Sequence, residues 1–260
     1  MSEPAHTLPM EPVSYVVIPA RFASTRLPRK LLLRETGKTL IQHTFEAAQR
    51  AQRPRAICVA TDHEDIFREV RAFGGNVRMT DPAATSGTDR VAEIARQLTD
   101  ADILVNVQGD EPELTGAAID QVVELLQRNP AAEMATLATP IRSRDQLHDP
   151  ACVKVVFDDA GRAMYFSRSP IPHVRDWTDG LLDRDPPLFF QHVGLYAYRR
   201  DFLLQLAQMP RSTMEVLENL EQLRVLTAGH TILVGTVDEP TTGIDTPADY
   251  RAFVSRTLGC

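Results

Sequence analysis

The sequence predicts an α/β fold of three layers, in which helices cover both faces of a mostly parallel sheet. Short, continuously apolar runs such as YVVIP (15–19) and ILVNV (103–107) are typical of strands that are buried on both faces. Amphipathic helical stretches separate these runs, and that alternation is typical of parallel sheets. With 260 residues, the chain is also long enough to bury a large core.

The first half of the chain is the more regular. Its predicted strands are 15–19, 56–61, 76–79 and 103–107, and its predicted helices are 39–51, 63–73, 89–98 and 115–128. Thr115 is a favourable N-cap for the last helix, because its hydroxyl oxygen can accept a bond from the first helical turn. Strands and helices therefore alternate up to about residue 130.

The second half is less regular and predicts an inserted subregion with a mixed sheet. Strands are predicted at 152–157, 192–198 and 231–237, and helices at 215–228 and 247–258. A charged excursion ending in proline occupies 177–187. Because no linker or repeat interrupts the pattern, we expect one domain over residues 15–260. The polar segment 1–14 is predicted to be a disordered leader.

Composition limits the possible partners. The formal net charge is −7, which does not favour a nucleic-acid-binding protein. No apolar run approaches the roughly 18 residues that a membrane span needs, so we expect no membrane partner. The three cysteines, Cys58, Cys152 and Cys260, show no C-x-x-C spacing and indicate a cytoplasmic protein without a disulfide framework.

The segment after the first predicted strand is strongly cationic. Residues 20–30 read ARFASTRLPRK, with four cations and two hydroxyl groups in eleven residues. Ligands bind beyond the carboxyl ends of strands in open parallel sheets, and such donors suit a polyphosphate. Neither a Walker A motif nor a G-x-G-x-x-G motif is present. The alternative is a solvated basic loop.

Two further polar segments follow predicted strands and each supplies an aspartate. Asp110 lies in NVQGDEP (106–112), where it suits Mg²⁺, which binds one or two carboxylates together with phosphate oxygens and water. Asp245 lies in TTGIDTPAD (241–249), just before the last predicted helix. The alternatives are an ordinary Gly-Asp turn and an ordinary helix-start residue. Spacing alone leaves these alternatives open.

These segments together resemble one family. VVIPARFASTRLPRK, VATDHEDI, TSGTDRVAE, VNVQGDEP, YFSRSPIP, HVGLYAYR, LEQLRVL and TGIDTPAD occur in the order found in the 3-deoxy-manno-octulosonate (Kdo) cytidylyltransferases. The resemblance runs from about residue 15 to 250 and implies a nucleotide-diphospho-sugar-transferase-like (Rossmann-like) fold. It implies a CTP-binding part at about 15–130, and an acid-sugar and dimerisation part at about 131–240.

The resemblance also implies roles for individual residues. The positions that match CTP-binding residues are Arg21, Ser24, Arg26, Lys30, Ser86, Gly87, Arg90 and Gln108. Those that match sugar-binding residues are Gln108, Arg168, His192, Tyr196, Glu221 and Gln222. Asp110 and Asp245 match the carboxylates that bind Mg²⁺, and together with Arg21 and Lys30 they form the implied catalytic set. A homodimer is implied as well.

The implied reaction is transfer of CMP from CTP to the anomeric hydroxyl of Kdo, with release of pyrophosphate, for lipopolysaccharide biosynthesis. A cytidylyltransferase for 8-amino-Kdo or sialic acid, a glycosyltransferase of similar architecture, and an inactive nucleotide-binding homologue are the alternatives. His192 and Tyr196 could equally be core residues, and Glu221 an ordinary exposed acid. Arg29 and Leu31 replace a glycine and a proline that the family usually carries, which leaves the shape of the basic loop open.

Overall fold

The computed structural model describes residues 11–84, 86–238 and 243–259. Its strands are β1 (Ser14–Ala20), β2 (Ala56–Thr61), β3 (Val77–Met79), β4 (Ile103–Asn106), β5 (Met134–Pro140), β6 (Lys154–Phe157), β7 (Ala163–Ser167), β8 (Phe190–Arg199) and β9 (Ile232–Thr236). Its α-helices are α1 (Leu40–Ala48), α2 (Glu64–Ala72), α3 (Gly87–Gln97), α4 (Gly116–Arg128), α5 (Arg144–His148), α6 (Arg200–Leu206), α7 (Thr213–Glu218), α8 (Gln222–Thr227) and α9 (Pro247–Leu258).

The strands form a mostly parallel sheet in the order β3-β2-β1-β4-β8-β5-β9. β1 pairs in parallel with β2 and β4, and β5 pairs in parallel with β9. Only β8 runs antiparallel to its neighbours along this path, between β4 and β5. A hairpin of β6 and β7 attaches to β8. The predicted mixed subregion is therefore the part of the chain that supplies β6, β7 and β8.

Helices cover both faces of the sheet and give it two cores. Alternate residues of β1 point to opposite faces, as a period of two requires: Val16 and Ile18 pack in one core, and Val17 packs in the other. Residues of α1, α2, α4 and α9 complete the first core, and residues of α3, α6 and α8 complete the second. This arrangement confirms the predicted three layers.

The predicted helix at 215–228 is two helices in the structure. Asn219 adopts a left-handed conformation (φ 53°) and ends α7, and α8 begins at Gln222. Asparagine tolerates this region better than most residues. The break allows the buried Glu215 carboxylate to pair with Arg224 of α8, with an N···O distance of 2.6 Å. The prediction of one continuous helix was therefore wrong.

Other differences fall in the second half and at the N-terminus. The strands β5 and β7 and the helices α5 and α6 were not predicted. Ser14, which the sequence assigned to the leader, is buried and begins β1. The preceding Val13 is also attached, because its amide donates to Asp102 Oδ2 at 2.7 Å. Residues 1–10 of the predicted leader lie outside the described residues.

None of the described helices is both long and apolar enough to cross a membrane.

Candidate active site

Three loops meet beyond the carboxyl ends of the parallel strands, as the sequence predicts. They are the basic loop after β1, the QGDEP loop after β4, and the segment before α9. Together they line a cavity of about 370 Å³, which we call the Lys30 cavity. Its lining residues are Pro19, Arg21, Ala23, Ser24, Thr25, Arg26, Lys30, Leu31, Gly87, Gln108, Gly109, Asp110 and Asp245.

The Lys30 ammonium group connects the two predicted metal-binding aspartates. Its Nζ donates to Asp110 Oδ2, to Asp245 Oδ1 at 3.0 Å, and to the Ile244 carbonyl at 3.0 Å. Arg26 adds an ion pair to the other oxygen of Asp245, also at 3.0 Å. Both carboxylates therefore converge on the ammonium group of Lys30, although Asp110 and Asp245 are far apart in the sequence.

The balance of charge in the Lys30 cavity favours an anionic ligand. Arg21, Arg26 and Lys30 face two carboxylates, which leaves an excess of positive charge. Burial lowers the pKa of Lys30, but the charges and hydrogen bonds of Asp110 and Asp245 outweigh burial and raise that pKa above its usual value. The lysine is therefore charged at neutral pH. Gly109 helps to bring the loops together, because a Cβ there would lie only 3.0 Å from the Pro19 carbonyl oxygen.

The two carboxylates also fit a divalent cation. In this structure the ammonium group of Lys30 lies where both carboxylates point, so the two carboxylates already converge on a positive charge. Among the described residues no cluster of three or more His, Cys, Asp or Glu side chains could hold a metal by itself. Two carboxylates are what Mg²⁺ uses when phosphate oxygens and water complete its coordination.

The basic loop is anchored to α2 by an aromatic and ionic cluster. The rings of Phe22 and His63 stack with centroids 3.6 Å apart. The guanidinium of Arg29 lies 5.2 Å from the centre of the Phe22 ring and forms an ion pair with Asp65 at 3.3 Å. Arg29 itself is left-handed, with φ 56° and ψ 27°. The position where the family usually has glycine therefore does require positive φ in this chain.

We expect Arg29→Gly to be more stable than Arg29→Ala by about 1 kcal/mol, because both lose the contacts of the side chain but only alanine keeps the left-handed strain. Urea unfolding of the two variants measures this difference. The matched control is Arg34, which pairs with Glu69 of the same helix at 2.6 Å and does not have positive φ. There the order should reverse, with alanine more stable than glycine. Equal stability of the two Arg29 variants would contradict the assignment of strain.

The N-terminus of α3 lies beside the Lys30 cavity. Gly87 lines that cavity, and a Cβ there would lie 3.4 Å from Pro19 Cγ. Ser86 caps the helix, because its hydroxyl accepts from the Asp89 amide at 3.1 Å. Gln108, which was predicted to contact both substrates, also lines the Lys30 cavity. Thr85, in the TSGTDR segment, lies outside the described residues.

Arg90 does not face the Lys30 cavity. Its side chain is 1% exposed and donates to Asp62 Oδ2 at 2.6 Å and to Thr80 Oγ1 at 2.7 Å. These contacts tie α3 to the ends of β2 and β3. In this structure Arg90 therefore has a packing role, in contrast to the phosphate contact that the sequence implies. Sequence reasoning did not single out its partner Asp62, although Asp62 lies in the matching VATDHEDI segment.

A second cavity, of about 750 Å³, is lined by Ser86 and Glu221, and we call it the Glu221 cavity. Its walls come from α3, α7, α8 and the segments 81–84 and 207–211. Glu221 accepts a hydrogen bond from Thr88 Oγ1 at 2.7 Å, which links α8 to α3. Gln222 is buried, and its Nε2 has no hydrogen-bond partner among the described residues. Tyr196 lies beside Gln222, with 3.5 Å between Tyr196 Oη and Gln222 Oε1. Three of the predicted sugar-binding residues thus lie together.

Arg168 and His192 line neither cavity. The Arg168 guanidinium donates to the Glu218 carbonyl at 2.8 Å and to the Pro150 carbonyl at 2.9 Å. His192 is buried, and its Nε2 lies 3.0 Å from Thr136 Oγ1. Burial lowers the pKa of His192 to about 3, so the imidazole is neutral. It is too weak a base to accept a proton at neutral pH.

The buried His192 should make the protein less stable in acid. The unfolded chain binds a proton at this residue below pH 6.5, whereas the folded chain does so only near pH 3. Its contribution to stability is therefore complete above pH 6.5 and is lost, at about 1.4 kcal/mol per pH unit, as the pH falls. The free energy of unfolding in urea, measured between pH 7 and 5, should fall less steeply with decreasing pH for His192→Gln than for the wild type. The exposed His148→Gln is the control and should keep the wild-type slope; an unchanged slope for His192→Gln would contradict the prediction.

The fold and the Lys30 cavity define a class of nucleotidyltransferase. Residues 15–232 match the family model described as Cytidylyltransferase, so the chain belongs to that family. It is 50% identical to the 3-deoxy-manno-octulosonate cytidylyltransferase of Rhodopirellula baltica over 93% of this chain and 97% of the relative. The corresponding enzyme of Geotalea daltonii is 47% identical over 92% and 96%. Within the cytidylyltransferases the chain therefore belongs to those named for 3-deoxy-manno-octulosonate, as its motifs predict.

A solved structure supports the same conclusion. The chain is similar to a CMP:2-keto-3-deoxy-manno-octonic acid synthetase complexed with CTP, with a TM-score of 0.88 and 39% identity over 95% of this chain and 99% of that one. This similarity confirms the predicted nucleotide-diphospho-sugar-transferase-like fold. A cytidylyltransferase from Leptospira borgpetersenii has a TM-score of 0.63 at 16% identity, which shows the shared fold alone.

Proposed function

We propose that this protein transfers CMP from CTP to the anomeric hydroxyl of 3-deoxy-D-manno-octulosonate, giving CMP-Kdo and pyrophosphate for lipopolysaccharide biosynthesis. One observation carries the proposal: two aspartates from distant loops bond the same lysine, in a cavity that also presents two arginines. The Kdo cytidylyltransferases that align with nearly the whole chain are the second support.

The chemistry is a displacement at phosphorus. The sugar hydroxyl loses its proton to solvent, its oxygen forms a bond to the α-phosphorus of CTP, and the bond from that phosphorus to the oxygen shared with the β-phosphate breaks. Positioning and charge neutralisation supply most of the catalysis in such reactions. Lys30, Arg21 and Arg26 donate to the triphosphate and neutralise the leaving pyrophosphate. Ser24 and the amide of Gly87 offer further donors in the same cavity.

Mg²⁺ is the cofactor that we propose, held by Asp110 and Asp245. When bound, it supplies positive charge to the phosphate oxygens and favours ionisation of the sugar hydroxyl. Lys30 bonds both aspartates in the structure, so its ammonium group has to turn toward the phosphates when the carboxylates bind a metal. Three predicted sugar contacts, Tyr196, Glu221 and Gln222, lie together, which supports a position for the acid sugar at the start of α8.

The most direct test measures pyrophosphate release from CTP and Kdo by the purified protein, with Mg²⁺ and with excess EDTA. We expect release only when CTP, Kdo and Mg²⁺ are all present. Parallel reactions with 8-amino-Kdo and N-acetylneuraminate identify the preferred sugar. Binding of CTP without release with any sugar would contradict the proposal and indicate an inactive homologue. Release that survives EDTA would contradict the metal assignment alone.

A homodimer in the cytoplasm completes the proposal. Four large apolar side chains of β7 and α7 are exposed: Met164 (66%), Met214 (41%), Val216 (57%) and Leu217 (73%). Tyr165 Oη contacts Met214 Sδ at 3.8 Å, so β7 and α7 are neighbours. A second copy of the chain would cover this surface. Light scattering should then give twice the 29.0 kDa of one chain. The proposed reaction consumes CTP, which cells keep inside, and this supports a cytoplasmic location for the protein.

A further inference from the structure

Lys154, at the start of β6, is a buried lysine that has no part in the proposed chemistry. Its side chain is fully buried, and burial lowers the pKa of its amine. All three of its hydrogen bonds go to main-chain carbonyl oxygens: Asp149 at 2.9 Å, Cys152 at 2.6 Å and Arg168 at 2.6 Å. A buried ammonium is unfavourable unless it is fully hydrogen-bonded. At this position the three carbonyl oxygens need a donor, which an apolar side chain cannot supply.

The contacts of Lys154 converge on Arg168. The lysine holds the Arg168 carbonyl directly, and it also holds the 149–152 loop, whose Pro150 carbonyl accepts a hydrogen bond from the Arg168 guanidinium at 2.9 Å. From the other side, the Glu218 carboxylate accepts from the Arg168 amide at 2.9 Å, and the Glu218 carbonyl accepts from Arg168 Nε at 2.8 Å. The main chain and the guanidinium of Arg168 are thus fixed together.

This arrangement keeps the charge of Arg168 available for a ligand. Within the part of the chain that the structure describes, its guanidinium bonds two carbonyls and no carboxylate. A guanidinium has five N–H donors, so three are left to bind an anion. Asn219, next to Glu218 in the sequence, lines the Glu221 cavity. Arg168 itself lines neither cavity, but its bond to the Glu218 carbonyl holds it one residue from the wall of the Glu221 cavity.

We propose that Lys154 is a positioning residue, which holds Arg168 in the orientation that receives the carboxylate of the acid sugar. The inference rests on the proposed function. Lysine suits the role because one ammonium group supplies three donors to two separate segments of main chain. Its removal would leave three buried carbonyls without that donor, and the 149–152 loop and Arg168 would then shift relative to each other.

The test is steady-state kinetics of Lys154→Met in the full chain, with CTP and Kdo varied separately. We expect KM for Kdo to rise about tenfold or more, since small errors in the position of a binding group have large effects, while KM for CTP changes less than about twofold. Lys38→Met is the matched control, because Lys38 pairs with Glu46 at the surface. It should keep both KM values.

A double-mutant cycle separates positioning from mere stability. If Lys154 acts through Arg168, then Lys154→Met should add little to the Kdo KM of a protein that already carries Arg168→Met. An equal rise in both KM values, or a lower melting temperature with an unchanged Kdo KM, would overturn the inference. If the methionine variant does not fold, Lys154→Gln replaces it, because glutamine keeps two donors. Lys154→Gln should raise KM for Kdo by a smaller factor. If KM for Kdo does not rise more than KM for CTP in this variant, the inference is overturned. A wild type that releases no pyrophosphate from CTP and Kdo would instead refute the proposed function.

Discussion

Asp110→Asn should reduce the turnover number at least about 100-fold while the protein remains folded. Asparagine keeps the shape of the side chain but removes one of the two negative charges that face Lys30. The fold should survive because Lys30 retains Asp245 and the Ile244 carbonyl, each at 3.0 Å. Pyrophosphate release at saturating CTP and Kdo measures the loss, and thermal unfolding followed by circular dichroism checks the fold.

The control for Asp110→Asn is the same change at Asp201, whose side chain is 95% exposed at the start of α6. Asp201→Asn should keep full turnover. The Mg²⁺ concentration that gives half-maximal rate should rise in Asp110→Asn and stay constant in the control. Wild-type turnover in a folded Asp110→Asn protein would overturn the proposed role of this carboxylate in binding metal.

Lys30→Met should lower turnover by about 100-fold or more, for a different reason. Methionine matches the length of the lysine stem but removes the ammonium group that we assign to the triphosphate and to the leaving pyrophosphate. Asp110 and Asp245 then lose the cation that bonds both of them, and Asp245 keeps its ion pair with Arg26, so we also expect tighter binding of a divalent cation in the absence of CTP. Pyrophosphate release measures the first effect, and isothermal titration with Mg²⁺ measures the second.

The sequence contains a matched control for this change as well. Lys38 has an exposed side chain, and its ammonium pairs with Glu46 at 2.6 Å on the surface. Lys38→Met should leave turnover and Mg²⁺ binding unchanged. If Lys30→Met loses turnover no more than Lys38→Met does, then the ammonium group has no role in catalysis.

The first half of the fold was predictable because each of its signals is local. The run YVVIP predicted β1 to within one residue at either end, and Thr115 does cap α4 by accepting from the Ala118 amide at 3.2 Å. The second half was less predictable because its elements depend on tertiary contacts. Strand β5, with the sequence MATLATP, is almost wholly buried in the sheet, yet its small residues and threonines give little apolar signal. Asn219 breaks a helical pattern that looks continuous along the chain.

The candidate site divides in the same way. The residue types in the three loops indicated phosphate and metal chemistry, and those loops do meet in the Lys30 cavity. The sequence did not indicate that Arg90 is buried against Asp62, or that Lys154 holds Arg168. The rarity of lysine, with only three in the chain, was the one available signal for Lys154.

By itself, the sequence determined the family, the three-layer fold and the chemical groups of the site, because all of these are written in short contiguous segments. Only the tertiary structure decided which of those groups meet. Lys30 reaches Asp110 across 80 residues of sequence and Asp245 across 215. The order of the strands in the sheet sets that convergence, and strand order depends on packing between distant segments rather than on any local pattern.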